Sequence, residues 1–347
     1  MTLRRSLFVF ALLALSILGS WWWFGRSEYQ VSLCYYHWKS EFDPDSSDWK
    51  NHAQLGSSNL ALHLFDLDWA ASQSAPELKS RLRFKQSLPD ALAITPVVYI
   101  TQRFLKNCPV SQQAEIATGL VEAMEKVSGM QRSRWKAVQW DCDWTESTRD
   151  AYFDLLKHLK SEIPNIQHSV TLRLHQLKYL VRSGIPPADR AVLMLYNVGE
   201  FREYDAENSL YSRKAIAPYL RSIQRYPLPL DLALPLFSWG LHYRYGKVQG
   251  VFAEPELEAV QADSLWFHRN SKLHVARKAF FCQGRYIMKG DVLKIEEAGL
   301  NEARDAVEAL REHWKTPTFT LYFYHWNSPV ARKHGPKPLL ELATHFQ

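Results

Sequence analysis

Eight short apolar runs, rich in β-branched and aromatic residues, recur along this chain at 31–38, 59–64, 93–101, 137–143, 168–174, 191–196, 232–239 and 319–326. Helix-like stretches separate them. Strands that are apolar on both faces need cover on both sides, and intervening helices supply it, so the alternation predicts parallel β/α units. Eight such units close into a (β/α)8 TIM barrel, and at 347 residues the chain suits one large barrel domain. The stretch 111–127 puts Ile116, Leu120, Val121, Met124 and Val127 on one helical face and stops at Gly129. After the fourth run, Ser147 and Asp150 have capping-box spacing, and Tyr152, Leu155, Leu156 and Leu159 follow at helical intervals.

The connection between the seventh and eighth runs is about 75 residues, far beyond the usual few. It holds strand-like segments at 278–287 and 291–295, then a helix at 301–314 with Ala303, Ala306, Val307, Leu310 and Trp314 inward. This reads as a small α+β insertion, at about 241–300, beside the barrel of 27–347. Ahead of the barrel, Arg4 and Arg5 precede an apolar run from 7 to 24. Its eighteen residues span roughly 27 Å as a helix, enough for a bilayer core. Trp21, Trp22 and Trp23 suit an interfacial belt with the Arg pair cytoplasmic, so 1–26 reads as an uncleaved single-pass anchor in preference to the alternative, a cleaved signal peptide. The body is then expected outside the inner membrane, in the periplasm or beyond the cell.

Hydrophobic residues at 46% and charged residues at 22% exclude a disordered chain. The formal charge of +6 is modest and interspersed, with no run of five like charges, which argues against a nucleic-acid reader. Four cysteines have no zinc spacing. Cys34 and Cys142 fall within strands as small buried thiols, whereas Cys108 and Cys282 could pair in an oxidising compartment.

Barrel proteins gather reactive side chains at the C-terminal strand ends. There the second run ends in Asp66 and Asp68, and the fourth in Asp141 and Asp143. The fifth carries Arg173, His175 and Gln176, and the sixth Tyr196 and Asn197 with Glu200 beyond. Alternation puts Asp141 and Asp143 on one side and Cys142 toward the helices. Two close carboxylates cannot both ionise freely, so the pair suits proton transfer, or else is neutralised by Arg173. Glu146 stands in the following turn, where it could act in catalysis or favour a helix N-terminus. Trp38, Trp69, Trp239 and Trp326 lie at or beyond strand ends, where a flat ring could stack on a sugar. His37, His63, His175 and His325 form no ligand unit such as His-x-x-x-His, so no metal and no cofactor is expected. Tyr36-His37-Trp38-Lys39-Ser40 recurs as Tyr324-His325-Trp326-Asn327-Ser328. Since first and last strands adjoin in a closed barrel, these segments could line adjacent parts of one rim.

These landmarks resemble family 18 glycoside hydrolases, the chitinase-like barrels, and uncharacterised exported bacterial barrels related to them. Cys34-Tyr35-Tyr36-His37-Trp38 is similar to that family's first strand. Trp140-Asp141-Cys142-Asp143-Trp144-Thr145 is similar to its fourth-strand D-x-x-D-x-D-x-E. Met194-Leu195-Tyr196-Asn197 resembles its M-x-Y-D, and Ala233-Leu234-Pro235-Leu236-Phe237 its G-x-P-x-Y. The resemblance implies a carbohydrate partner, with Asp143 orienting an acetamido group and Tyr196 hydrogen-bonding it. The departures are Val138 for the first Asp, Asn197 for an Asp, and Thr145 at the family's catalytic glutamic acid. Catalysis would then fall to Asp141, Asp143 and Glu146, with Tyr196, Asn197, Asp66, Asp68, Arg173, His175, Trp38, Trp239 and Trp326 binding substrate. A barrel that binds a polysaccharide without cutting it, assisting assembly or export, is the alternative.

Overall fold

The structure is a computed structural model and describes residues 29–199, 201–202, 207–253, 257, 266–268 and 272–346. The expected anchor at 1–26, and Glu200, lie outside these residues. Among the described residues no helix is long and apolar enough to cross a membrane.

Eight strands run parallel in a closed ring: β1 (Gln30–His37), β2 (Asn59–Ala70), β3 (Ala93–Ile100), β4 (Ala137–Asp141), β5 (Gln167–Leu172), β6 (Arg190–Met194), β7 (Leu230–Pro235) and β8 (Thr318–Tyr324). Each pairs with the next, and β1 closes the ring against β8. Helices that pack around it include α1 (Ser46–Gln54), α2 (Gln102–Asn107), α3 (Gln113–Ser128), α4 (Arg149–Glu162), α5 (Leu174–Lys178) and α6 (Leu300–Leu310). Ala303, Ala306, Val307, Leu310 and Trp314 are all buried, as the spacing predicts. Gly129 ends α3 in the left-handed conformation at φ 65°, which a residue without Cβ adopts freely.

Alternation along β4 positions the site. Trp140 faces the helices, where its indole donates to His168 Nδ1 at 3.0 Å and Tyr152 donates to its carbonyl at 3.0 Å. Gln139 faces the interior and accepts from the Tyr36 hydroxyl at 2.6 Å, while Tyr36 stacks on Tyr322 at 4.8 Å. Asp141 follows Gln139 on the inner side by the two-residue period.

Several boundaries differ from expectation. β7 stops at Pro235, and the N–H of Leu236 donates to the Tyr324 carbonyl at 2.5 Å. The next run, Phe237–Arg244, belongs to a separate antiparallel sheet with Lys247–Phe252, Val292–Ala298, Leu273–Ala276 and Trp266–His268. The insertion's sheet therefore begins at Phe237, ahead of residue 241, because one continuous apolar run serves two sheets. The expected capping box of Ser147 and Asp150 does not form. The turn extends one residue further, so Thr148 precedes α4, accepts from the Thr145 N–H at 3.0 Å and donates to Gln102 at 3.0 Å. Asp150 pairs with Arg149 instead. No disulfide joins Cys108 to Cys282, and all four cysteines are buried.

Candidate functional site at the barrel mouth

The C-terminal ends of β4, β5 and β6 surround a cavity of about 420 Å³ lined by Asp143, Arg173, His175, Tyr196 and Asn197, among others. Five residues singled out in the sequence thus meet at one opening. Arg173, just past β5, donates from Nε to Asp143 Oδ1 at 2.7 Å and lies 5.8 Å from the Tyr196 ring centroid. Its guanidinium supplies a fixed positive charge beside the cavity, and burial pushes the Tyr196 hydroxyl well above its usual range. Asn197 adopts φ 55°, a left-handed turn that Asn tolerates, and its N–H donates to the Leu210 carbonyl at 2.9 Å. His175 lies on α5 with its pKa lowered, first by burial.

Asp141 is buried beneath this opening and accepts from the Thr171 hydroxyl at 2.5 Å. Burial is the main cause that raises its pKa to about 6; Arg173 opposes the shift and Asp143 adds to it. The two carboxylates therefore differ in kind. Asp143 accepts from the Arg173 guanidinium, whereas Asp141 can carry a proton near neutrality.

Beside the cavity stands a row of aromatic rings. Tyr324, at the end of β8, stacks on Tyr196 at 5.1 Å and lies 5.7 Å from Trp38. Trp38 stacks in turn on His63 at 4.5 Å. A second cavity of about 320 Å³ lies at the other, N-terminal end of the barrel, bordered by Asn59, Lys136 and Asp231. It is remote from the strand-end residues and belongs to the structural base.

Most of the remaining candidates lie away from this cavity. Trp326 is buried against Tyr35, His37, Phe42, Trp49 and His52, outside the ring, so its face is not open to a sugar. Trp239 sits on the insertion sheet, where its indole donates to Glu296 at 3.0 Å. Asp68 is tied to Arg103, Thr101, Lys79 and the Trp69 N–H. Those partners, Arg103 foremost, hold its carboxyl far below the usual range, which is a structural role. Asp66 accepts from His63 at 2.9 Å and Ser80 at 2.6 Å. Glu146 is exposed in the turn before α4, and Thr145 hydrogen-bonds Ser147 at 3.0 Å. Tyr99, which the sequence reading passed over, and Tyr324, named there only within the repeated motif, stand at inward strand positions, and that two-residue period was the available signal. Among the described residues no three His, Cys, Asp or Glu side chains gather to hold a metal ion.

The barrel is similar in fold to several solved structures, among them a glycoside hydrolase family 18 enzyme. It is similar to the spore cortex-lytic enzyme SleL of Bacillus cereus at 13% identity and TM-score 0.52, covering 92% of this chain and 75% of that one. SleL of Bacillus megaterium gives 11% and 0.53 over the same shares. A family 18 N-acetylglucosaminidase from Paenibacillus barengoltzii gives 10% and 0.50, over 90% of this chain and 99% of that one. At such identities the likeness is one of fold. No protein-family model and no curated protein matches the sequence.

Proposed function

We propose that this chain is an exported, membrane-tethered, glycoside-hydrolase-like protein that acts on a polysaccharide at the mouth of its barrel. The observation that carries this reading is the single cavity bordered by Asp143, Arg173 and Tyr196, with Asp141 buried below it and a wall of Tyr324 and Trp38 beside it. Charged donors and acceptors would fix a sugar's hydroxyl or acetamido groups, and the rings would pack against its apolar face. The fold relatives act on spore cortex and N-acetylglucosaminides by their names, which makes an aminosugar polymer the first substrate to try. Asp141, able to hold a proton near pH 6, favours hydrolysis. Thr145, standing where the resemblance puts the acid, favours binding without cutting.

The test uses the full chain in detergent with chitopentaose and purified peptidoglycan, following both binding and new reducing ends. Hydrolysis predicts turnover that Asp141→Asn abolishes while binding persists. Binding without turnover in the parent protein supports the alternative. Arg173→Ala is expected to weaken binding at least tenfold under either, and a protein that binds neither glycan overturns the carbohydrate reading.

A further inference from the structure

β2 is irregular where it reaches the mouth. His63 pairs with Val97 on β3 and Phe65 with Val98, so Leu64 is an extra residue in the ladder. In an unbroken strand residues 63 and 66 would face opposite sides; one inserted residue returns them to the same side. Asp66 thereby pairs with Tyr99, and Tyr99 pairs with Asp141 on β4, which sets the three in one row across neighbouring strands. The result is a clamped imidazole. His63 Nε2 lies 2.9 Å from Asp66 Oδ1, Ser80 donates to the other carboxylate oxygen at 2.6 Å, and Trp38 covers the ring face at 4.5 Å and 17°. The His63 side chain is only 4% exposed. A carboxylate at one ring nitrogen fixes the tautomer and leaves Nδ1 as the acceptor.

We propose that His63, oriented by Asp66, is the general base of this mouth and works against Asp141 as the acid. The inference rests on the hydrolytic reading above. Water gives a proton to His63 Nδ1 as its oxygen bonds to the anomeric carbon. The bond from that carbon to the leaving sugar oxygen breaks, and this oxygen takes the carboxyl proton of Asp141. Asp66 stabilises the imidazolium, and solvent returns the proton from His63 to Asp141. Both ends of the split bond are thus served without an acid at Thr145, and a single displacement inverts the anomeric centre. The titratable groups beside the imidazole are Asp66 on its own strand and Asp141 on β4, with His37 of β1 acting on it from the outer side of the sheet.

The experiment follows chitopentaose cleavage by the full chain, with product anomers read by NMR and binding measured by calorimetry. His63→Gln is expected to lower kcat about 10²–10⁴-fold, the usual share of one general base, with binding within about threefold of the parent. Asp66→Asn, a positioning variant, is expected to lower kcat about tenfold or more with KM within about threefold of the parent, because the imidazole loses the carboxylate that fixes its tautomer. Parent-like turnover in His63→Gln, a parent-like kcat in Asp66→Asn, or retained anomeric configuration overturns the base assignment alone. A parent protein that binds the oligomer without cleaving it overturns the hydrolytic reading and this assignment with it, and leaves carbohydrate binding intact.

Discussion

At the scale of single residues, Asp141 has the clearest thermodynamic signature. Burial lifts its carboxyl from an ordinary 3.8 to about 6, so the folded state prefers the protonated form. Below the lower value folded and unfolded chains both hold the proton and the group costs nothing. As pH rises to about 6 the unfolded chain ionises first, and folding loses up to about 3 kcal/mol, one unit being about 1.4. Asp141→Asn, which can still accept from Thr171, is therefore expected to flatten stability between pH 4 and 6 and to raise it by about 1–3 kcal/mol at pH 7, as denaturant titrations would measure. Asp68 has the opposite sign. Its depressed carboxyl contributes stability at neutral pH that is lost on acidification. Asp68→Ala should cost about 1–3 kcal/mol at pH 7, toward the low end because the Arg103 side chain, half-exposed, can turn to water. A single sequence separates Asp68 from Asp66 poorly, since the partners of both, Arg103 and Ser80, come from later segments that only the fold brings near.

At the scale of elements, the eight strands were legible because buried parallel strands read as continuous apolar runs. Their last residues were not. Tyr36 and Tyr324 pair in register on β1 and β8, as the repeated motif suggests, yet two residues on, Trp38 rests on His63 at the mouth and Trp326 is buried outside the ring. Periodicity ends with the strand, so it cannot direct a ring beyond it. The bulge at Leu64 is hidden for the same reason: nothing in an apolar run marks which residue is extra, and without it His63 and Asp66 fall on opposite faces. The Phe237–Arg244 strand was merged with β7 because no polar break divides them. The cap of α3 was legible, and it gives a direct check. Gly129→Ala meets no neighbour within 4 Å but must hold φ 65°, so it should destabilise by about 1 kcal/mol, read as a small drop in thermal midpoint.

At the scale of the whole molecule, the ring unites acids from β4 with a guanidinium past β5 and rings from β1, β6 and β8, although these lie up to nearly three hundred residues apart. The proposed export has its own test. An alkaline phosphatase fusion after residue 30 should be active, and the same fusion lacking residues 7–24 should be inactive. Alkaline extraction of membranes should leave the intact chain in the pellet.

Parallel strands give the ring a direction. Gln30 opens β1 at the base, where its N–H donates to the Pro317 carbonyl at 2.8 Å, and the chain reaches the opening only eight residues later. That length is roughly 26 Å at 3.3 Å per residue. The proposed membrane anchor ahead of Gln30 would therefore join the barrel at its floor and leave the aperture on the side away from the lipid. Glycan strands would be met end-on by a protein standing off from the lipid, and shortening the link between them would restrict its reach without altering the pocket.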